Sequence, residues 1–168
     1  MKKGFTLIEL LVVIAIIGFL AGALLLAINP AEMMMKGRDA KRLVDMDALS
    51  KAILLAQAEN KIVLTTVGGN DSGSGTREVN GDGYVTWDLV ASLGDVSTYL
   101  AALPIDPTNS GVYVYRFASN GPNATFELDA KLEHPDNSTK ESLDGGDTLT
   151  RYELGTDPGL DLLSGYTP

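Results

Sequence analysis

One carboxylate stands alone in a long apolar run. Between Phe5 and Ile28 the only ionisable side chain is Glu9. A charge in an apolar layer costs a few kcal/mol, so a carboxylate there needs a partner or a functional reason. A second acidic set lies on a glycine-rich stretch, Asp144-Gly145-Gly146-Asp147, with Asp157 further on. Hard oxygen ligands on a loop suit calcium, and backbone carbonyls near Gly145 and Gly146 would complete the shell; the competing reading is a solvated acidic loop. The string from Glu78 to Thr86 has half the pattern of an EF-hand loop. Its first position is Glu, its twelfth is Leu89, and Asp88 comes one residue early, so the turn reading is preferred. His134 is the only histidine, sits beside Pro135 and reads as a surface turn residue. The chain has no cysteine, hence no thiolate nucleophile and no disulfide. There is no nucleophile elbow, histidine-based metal motif or phosphate loop, which sets an anchored enzyme aside.

The elements that carry these residues begin with the apolar run. As a helix, the 24 residues from Phe5 to Ile28 span about 36 Å at 1.5 Å per residue. That is enough for a bilayer core of about 30 Å. Lys2 and Lys3 form a positive end that stays cytoplasmic and sends the rest of the chain outward. An ordinary secretory signal would use Ala21-Gly22-Ala23 as its cleavage site, but Leu24–Ile28 continue the apolar run and Glu9 is out of place in a signal core. A plain single-span anchor, bearing an exported binding module, explains everything except Glu9 and the string before it.

Met1-Lys2-Lys3-Gly4-Phe5-Thr6-Leu7-Ile8-Glu9-Leu10 resembles the leader of type IV pilins and type II secretion pseudopilins: a short basic stretch ending in Gly, then Phe, then Glu at the fifth mature position. The resemblance implies that a prepilin peptidase cuts between Gly4 and Phe5 and that the new Phe5 amine is methylated. Loss of Lys2 and Lys3 takes the formal charge from −9 to −11. It further implies that Glu9 neutralises the amine of a neighbouring subunit and sets the axial register. The implied partners are other copies of the chain, the peptidase and methylase, an inner-membrane assembly platform with its ATPase complex, and membrane lipid before assembly. The implied function is the structural subunit of a type IV pilus-like filament serving adhesion, motility or DNA uptake. The alternative is a pseudopilin that drives protein export. The precursor would lie in the inner membrane and the product in a surface filament or an envelope pseudopilus.

The expected organisation is a leader at 1–4, a transmembrane and assembly half of a helix at 5–29, an amphipathic half at 30–60 and a β-rich globular domain at 61–168. Asn29-Pro30 predicts a kink or a locally unwound stretch rather than a stop. Leu43, Met46, Leu49, Ile53 and Ala56 then recur at three- and four-residue steps, a stripe suited to packing on a sheet. The helix is expected to end near Glu59-Asn60. Lys41/Asp45, Asp47/Lys51 and Glu32/Lys36 are i,i+4 pairs. Lys36, Arg38, Lys41 and Arg42 read as a solvated face balanced by Asp39, Asp45 and Asp47, or as a contact for lipid headgroups or acidic neighbours. Met33–Met35 read as adaptable packing against other subunits.

Further on, residues 68–83 read as an exposed loop, and Thr76–Val79 with Tyr84–Asp88 as a hairpin about Asn80-Gly81-Asp82-Gly83. Leu93–Leu103 reads as a short crossing. Val112–Phe117 and Thr125–Leu132 form a second hairpin, with Phe126, Leu128, Ala130 and Leu132 on one face, and Thr150–Leu154 is a third strand. Leu103-Pro104-Ile105-Asp106-Pro107 followed by Tyr113-Val114-Tyr115 resembles the stretch before the sheet of major pseudopilins, and the resemblance extends to a calcium site in the C-terminal loop. The fold class is α+β: a pilin-like long kinked N-terminal helix, transmembrane in its first half, packed on a small antiparallel sheet. Residues 61–168 hold 16 acidic against 6 basic side chains, which argues against direct nucleic-acid binding. Asn70, Asn123 and Asn137 head N-glycosylation sequons.

Overall fold

A computed structural model describes residues 4–89 and 96–166. The chain divides into two compact units, Met1–Gly37 and Arg38–Pro168. The first unit contains helix α1 (Leu7–Ile28) and the start of α2 (Pro30–Ala58), whose remainder belongs to the second unit. The expected interruption at Asn29-Pro30 takes the unwound form: a one-residue break after which a second helix starts at once. Asn29 closes α1 in the left-handed conformation (φ 44°), which asparagine tolerates better than most residues. Its carbonyl at once accepts the first amides of α2, from Glu32 at 3.1 Å and Met33 at 3.4 Å. Pro30 is the first residue of α2, where its missing N–H costs nothing.

The second unit is α+β, as the sequence implies. A four-stranded antiparallel sheet has the order β2 (Val67–Asp71), β4 (Arg116–Asn120), β5 (Thr125–Ala130), β6 (Tyr152–Gly155). A separate antiparallel pair joins β1 (Ile62–Leu64) to β3 (Trp87–Leu89). A short helix α3 (Ser138–Ser142) precedes β6. Met46, Leu49, Ile53 and Ala56 of α2 are buried in one core with Phe117, Phe126, Leu128 and Ala130 of the sheet. Burial of this stripe, more than helix propensity, holds the amphipathic helix.

Several sequence-based expectations change. The glycine-rich stretch 68–83 is not wholly an exposed loop: Val67–Asp71 is a strand paired with β4, with a register irregularity between Val67 and Asn70. Gly68 and Gly69 weaken the strand pattern, and pairing on a formed edge overrides that weakness. The hairpin about residues 80–83 does not form. Asn80–Gly83 does turn, with the Asn80 side chain accepting from the Asp82 amide at 3.1 Å, but Trp87–Leu89 pairs with Ile62–Leu64 instead. The crossing at 93–103 falls partly on residues 90–95, outside the described residues; after them comes a 3-10 turn, Val96–Thr98. The main hairpin forms as expected, although its first strand starts at Arg116 rather than Val112. The third strand is also present, shifted to Tyr152–Gly155.

The basic cluster is the largest correction. Arg42 is fully buried rather than solvated. Its Nε and one terminal nitrogen donate to Asp106 at 2.6 and 2.8 Å. Its other terminal nitrogen donates to Asp39 at 2.9 Å, and Glu133 lies 2.6 Å away. Asp39 also accepts from the amides of Glu133 and His134, each at 2.8 Å, and from the Asn137 side chain at 2.7 Å. Burial opposes the charge on Asp39, but these donors prevail and hold its carboxyl below the usual range. Hydrogen bonds from Arg38, then from Arg42, bring Glu133 down to about 2 against the cost of burial. Lys41–Asp45 and Lys51–Asp47 are paired on the surface as expected, each at 2.6 Å.

Removing one member of a buried ion cluster strands the others, at about 3–5 kcal/mol. Arg42→Ala should therefore lower stability by that order, while Lys51→Ala should change it by less than about 0.5 kcal/mol. Denaturant unfolding of the full chain in detergent micelles checks both.

Candidate functional site at the N-terminal helix

Gly4, Phe5 and Thr6 precede the helix and are not helical. Thr6 is extended (φ −82°, ψ 152°) and caps α1. Its hydroxyl accepts the Glu9 amide at 3.3 Å. In return the Glu9 carboxylate accepts from the Thr6 amide and hydroxyl, both at 2.8 Å. This reciprocal capping box satisfies orphan donors at the start of the helix. It also gives Glu9 a partner inside its own chain, which the sequence reading missed. The signal was present: Thr-x-x-Glu immediately before an apolar run is a recognisable helix start.

The Gly4–Phe5 peptide bond therefore lies in non-helical chain just ahead of a capped helix. Every described side chain from Phe5 to Leu25 is exposed, Phe5 to 87%. Phe5, Ile8, Glu9, Val12 and Val13 line a shallow groove along one side. Leu7–Leu25 is long and apolar enough to cross a membrane by length and composition. An apolar helix with no cover of its own, headed by an open backbone segment and one capped carboxylate, is built to be covered by something else.

Residues 1–25 match the prokaryotic N-terminal methylation motif.

This motif is the prepilin-type leader of type IV pilins and pseudopilins. It marks a membrane-anchored precursor and implies peptidase processing and polymerisation into filaments. The positive end, Lys2 and Lys3, falls outside the described residues. No curated protein and no solved structure matches the chain.

The acidic residues chosen from the sequence for calcium do not come together. Asp144 accepts from the amides of Gly146 at 3.1 Å and Glu153 at 2.7 Å. Asp147 accepts from the Thr148 hydroxyl at 3.1 Å. Asp157 accepts from the Thr125 hydroxyl at 3.0 Å. Each carboxylate thus serves its local backbone or a neighbouring hydroxyl. Among the described residues, the carboxylates that do converge are Glu127, Asp129 and Glu153. Sequence reasoning had no means to find these three, because strand alternation assigns Glu127 and Asp129 to a solvated face. His134 is buried rather than on the surface, and its Nδ1 accepts the Asp136 amide at 3.2 Å, capping a 3-10 turn. Of the sequons, Asn123 is exposed at the tip of the β4–β5 turn, Asn70 lies within β2, and Asn137 is buried against Asp39. Met33 and Met34 are exposed.

Loss of an N-cap side chain costs roughly 1 kcal/mol, about a fivefold change in local opening. Thr6→Val should speed amide hydrogen exchange at Glu9 by about that factor in detergent micelles, with exchange beyond the first turn unchanged, as NMR can measure.

Proposed function

We propose that the chain is the structural subunit of a type IV pilus-like surface filament. It is made as a membrane-held precursor, cut between Gly4 and Phe5, methylated on Phe5 and polymerised through α1. One observation carries this reading: the methylation motif lies on an apolar helix whose described side chains have no cover within the chain. Lipid covers that helix before assembly, and the helices of neighbouring subunits cover it afterwards.

Cleavage frees an α-amine at Phe5, four residues before Glu9. In the unassembled subunit Thr6 supplies hydrogen bonds to the Glu9 carboxylate but no countercharge. The amine of an adjacent subunit supplies that charge in a setting where an unpaired carboxylate is costly. The pairing also sets the axial register between subunits. Pro30 and Asn29 lie beyond this contact and end the helix that makes it. The role is structural rather than catalytic, and extrusion relies on an inner-membrane assembly platform and its ATPase complex.

Mass spectrometry of the subunit from sheared surface filaments should give an N-terminus at a methylated Phe5. A terminus at Leu24 would mean ordinary signal cleavage and end this reading. Recovery of Phe5-terminated chain solely from the cell envelope would assign it to a secretion pseudopilus.

Glu9→Ala should insert into the membrane normally and yield no filaments. Glu9→Gln keeps an acceptor for the capping box and removes the charge, so it too should fail to assemble. Electron microscopy of cells making each variant decides the matter: wild-type filament yield from Glu9→Gln would reduce the residue to a helix cap.

A further inference from the structure

The outer face of the four-stranded sheet carries more buried negative charge than its cations neutralise. Arg116 and Arg151 supply two positive charges, and both are directed at Asp129. Arg116 grips it with two nitrogens, one at 2.7 Å, and the Arg151 Nε lies 2.8 Å away. Glu127 and Glu153 are 0% and 1% exposed, and among the described residues neither is ion-paired. One oxygen from each of Glu127, Asp129 and Glu153 lies within 4.8 Å of the others. The Oε2 atoms are engaged: Glu127 accepts the Leu163 amide at 3.0 Å, and Glu153 accepts the Thr148 amide at 3.0 Å. The Oε1 atoms of both residues are buried and accept nothing.

The groups around this pair make the imbalance worse. Asp129 adds charge from β5 and Asp144 and Asp147 from the loop before β6. Next along, Lys131 is taken by Glu141 at 3.1 Å. Asp157 of the C-terminal segment is engaged with Thr125, and Tyr166 lies over Arg116. Gly146 lies so close to the Glu153 carboxylate that a β-carbon there would overlap it.

We propose that Glu127 and Glu153 take up protons as a coupled pair and form a pH-sensitive latch for the two segments, 144–148 and 157–166, that close over the sheet. Three carboxylates against two guanidiniums leave at least one negative charge in excess, to which Asp144 and Asp147 add, and protonation of the pair relieves it. A protonated carboxyl is also a donor, so the pair no longer presents only acceptors to one another. A divalent cation fits less well, because both oxygens of Asp129 already serve arginines and two guanidiniums oppose further positive charge. Burial pushes the Glu127 carboxyl up to about 8; the Leu163 amide opposes this, and the negative charges of Glu153 and Asp129 add to it. Burial likewise pushes Glu153 up to about 7, opposed by Thr148 and assisted by Asp144 and Asp147. In the unfolded chain both ionise near 4.5. The latch is therefore fully effective below pH 4.5, weakens as pH rises, and is lost as pH passes through about 7 to 8.

The direct test is a carbon-13 NMR titration of the glutamate carboxyls in the full chain held in detergent micelles with chelator. Two glutamates should titrate as a coupled pair with apparent values near 7 to 8, and both signals should be missing from E127Q/E153Q. Thermal melting between pH 5 and 9 should fall for the wild type by an amount on the order of 5 °C, and less for E127Q. Titration of every glutamate below about pH 6 would overturn the proposal. So would a melting temperature raised by millimolar calcium chloride in the wild type and not in E127Q, which would make the pair a cation site.

Discussion

Arg42 is where two separate stretches of chain are tied to one helix. Its guanidinium takes Asp39 from its own helix, Asp106 from the loop before β4, and Glu133 from the segment after β5. Taking a guanidinium out of water costs several kcal/mol, and only a full set of well-aligned acceptors offsets that. A planar fork meets the requirement in a way that an ammonium could not. Thr108 and the ring of Tyr113 complete the enclosure. The arrangement also fixes the rotation of α2 about its axis. Met46, Leu49 and Ile53 follow Arg42 at helical spacing, so anchoring the arginine brings that stripe to face the sheet.

The sheet is then used on both sides, by different means. Phe126, Leu128 and Ala130 point to the helix and make an apolar core. Glu127 and Asp129 point the other way into an ionic layer, roofed by the segment that carries Leu163 and Tyr166. In a chain without cysteine, charge and hydrogen bonds close the loops that a disulfide could otherwise hold. The N-terminal helix follows the opposite rule. It keeps its described apolar side chains exposed and depends on its surroundings.

The N-terminus was the most legible part of the sequence. A single carboxylate in an apolar run, preceded by Gly-Phe-Thr, is a dense local signal, and the methylation motif matches that stretch. The helical stripe and the β4–β5 hairpin were legible for the same reason, since periodicity and turn residues act over short distances. Pairings set by tertiary context were not. Trp87–Leu89 has a turn signal just before it that favours a local hairpin, yet it joins Ile62–Leu64. Arg42 sits among other basic residues, and nothing local marks it as the one that is buried. The alternation of β5 identified its apolar side and left the buried carboxylates on the other unannounced, because what covers them lies some thirty-six residues away at Leu163.

The lid over that ionic layer has a consequence for how the chain matures. Tyr166 donates its hydroxyl to Asp71, 95 residues earlier, and its carbonyl accepts from Arg116. The Leu163 amide reaches back to Glu127. Ribosomes deliver a chain from its N-terminus, so Leu163 and Tyr166 are made well after the strands they cover. In a chain that stops short of them, the outer side of the sheet lacks these contacts and leaves its carboxylates and arginines open to water. A chain cut before Leu163 is thereby distinguishable from one that carries it by the state of a single face.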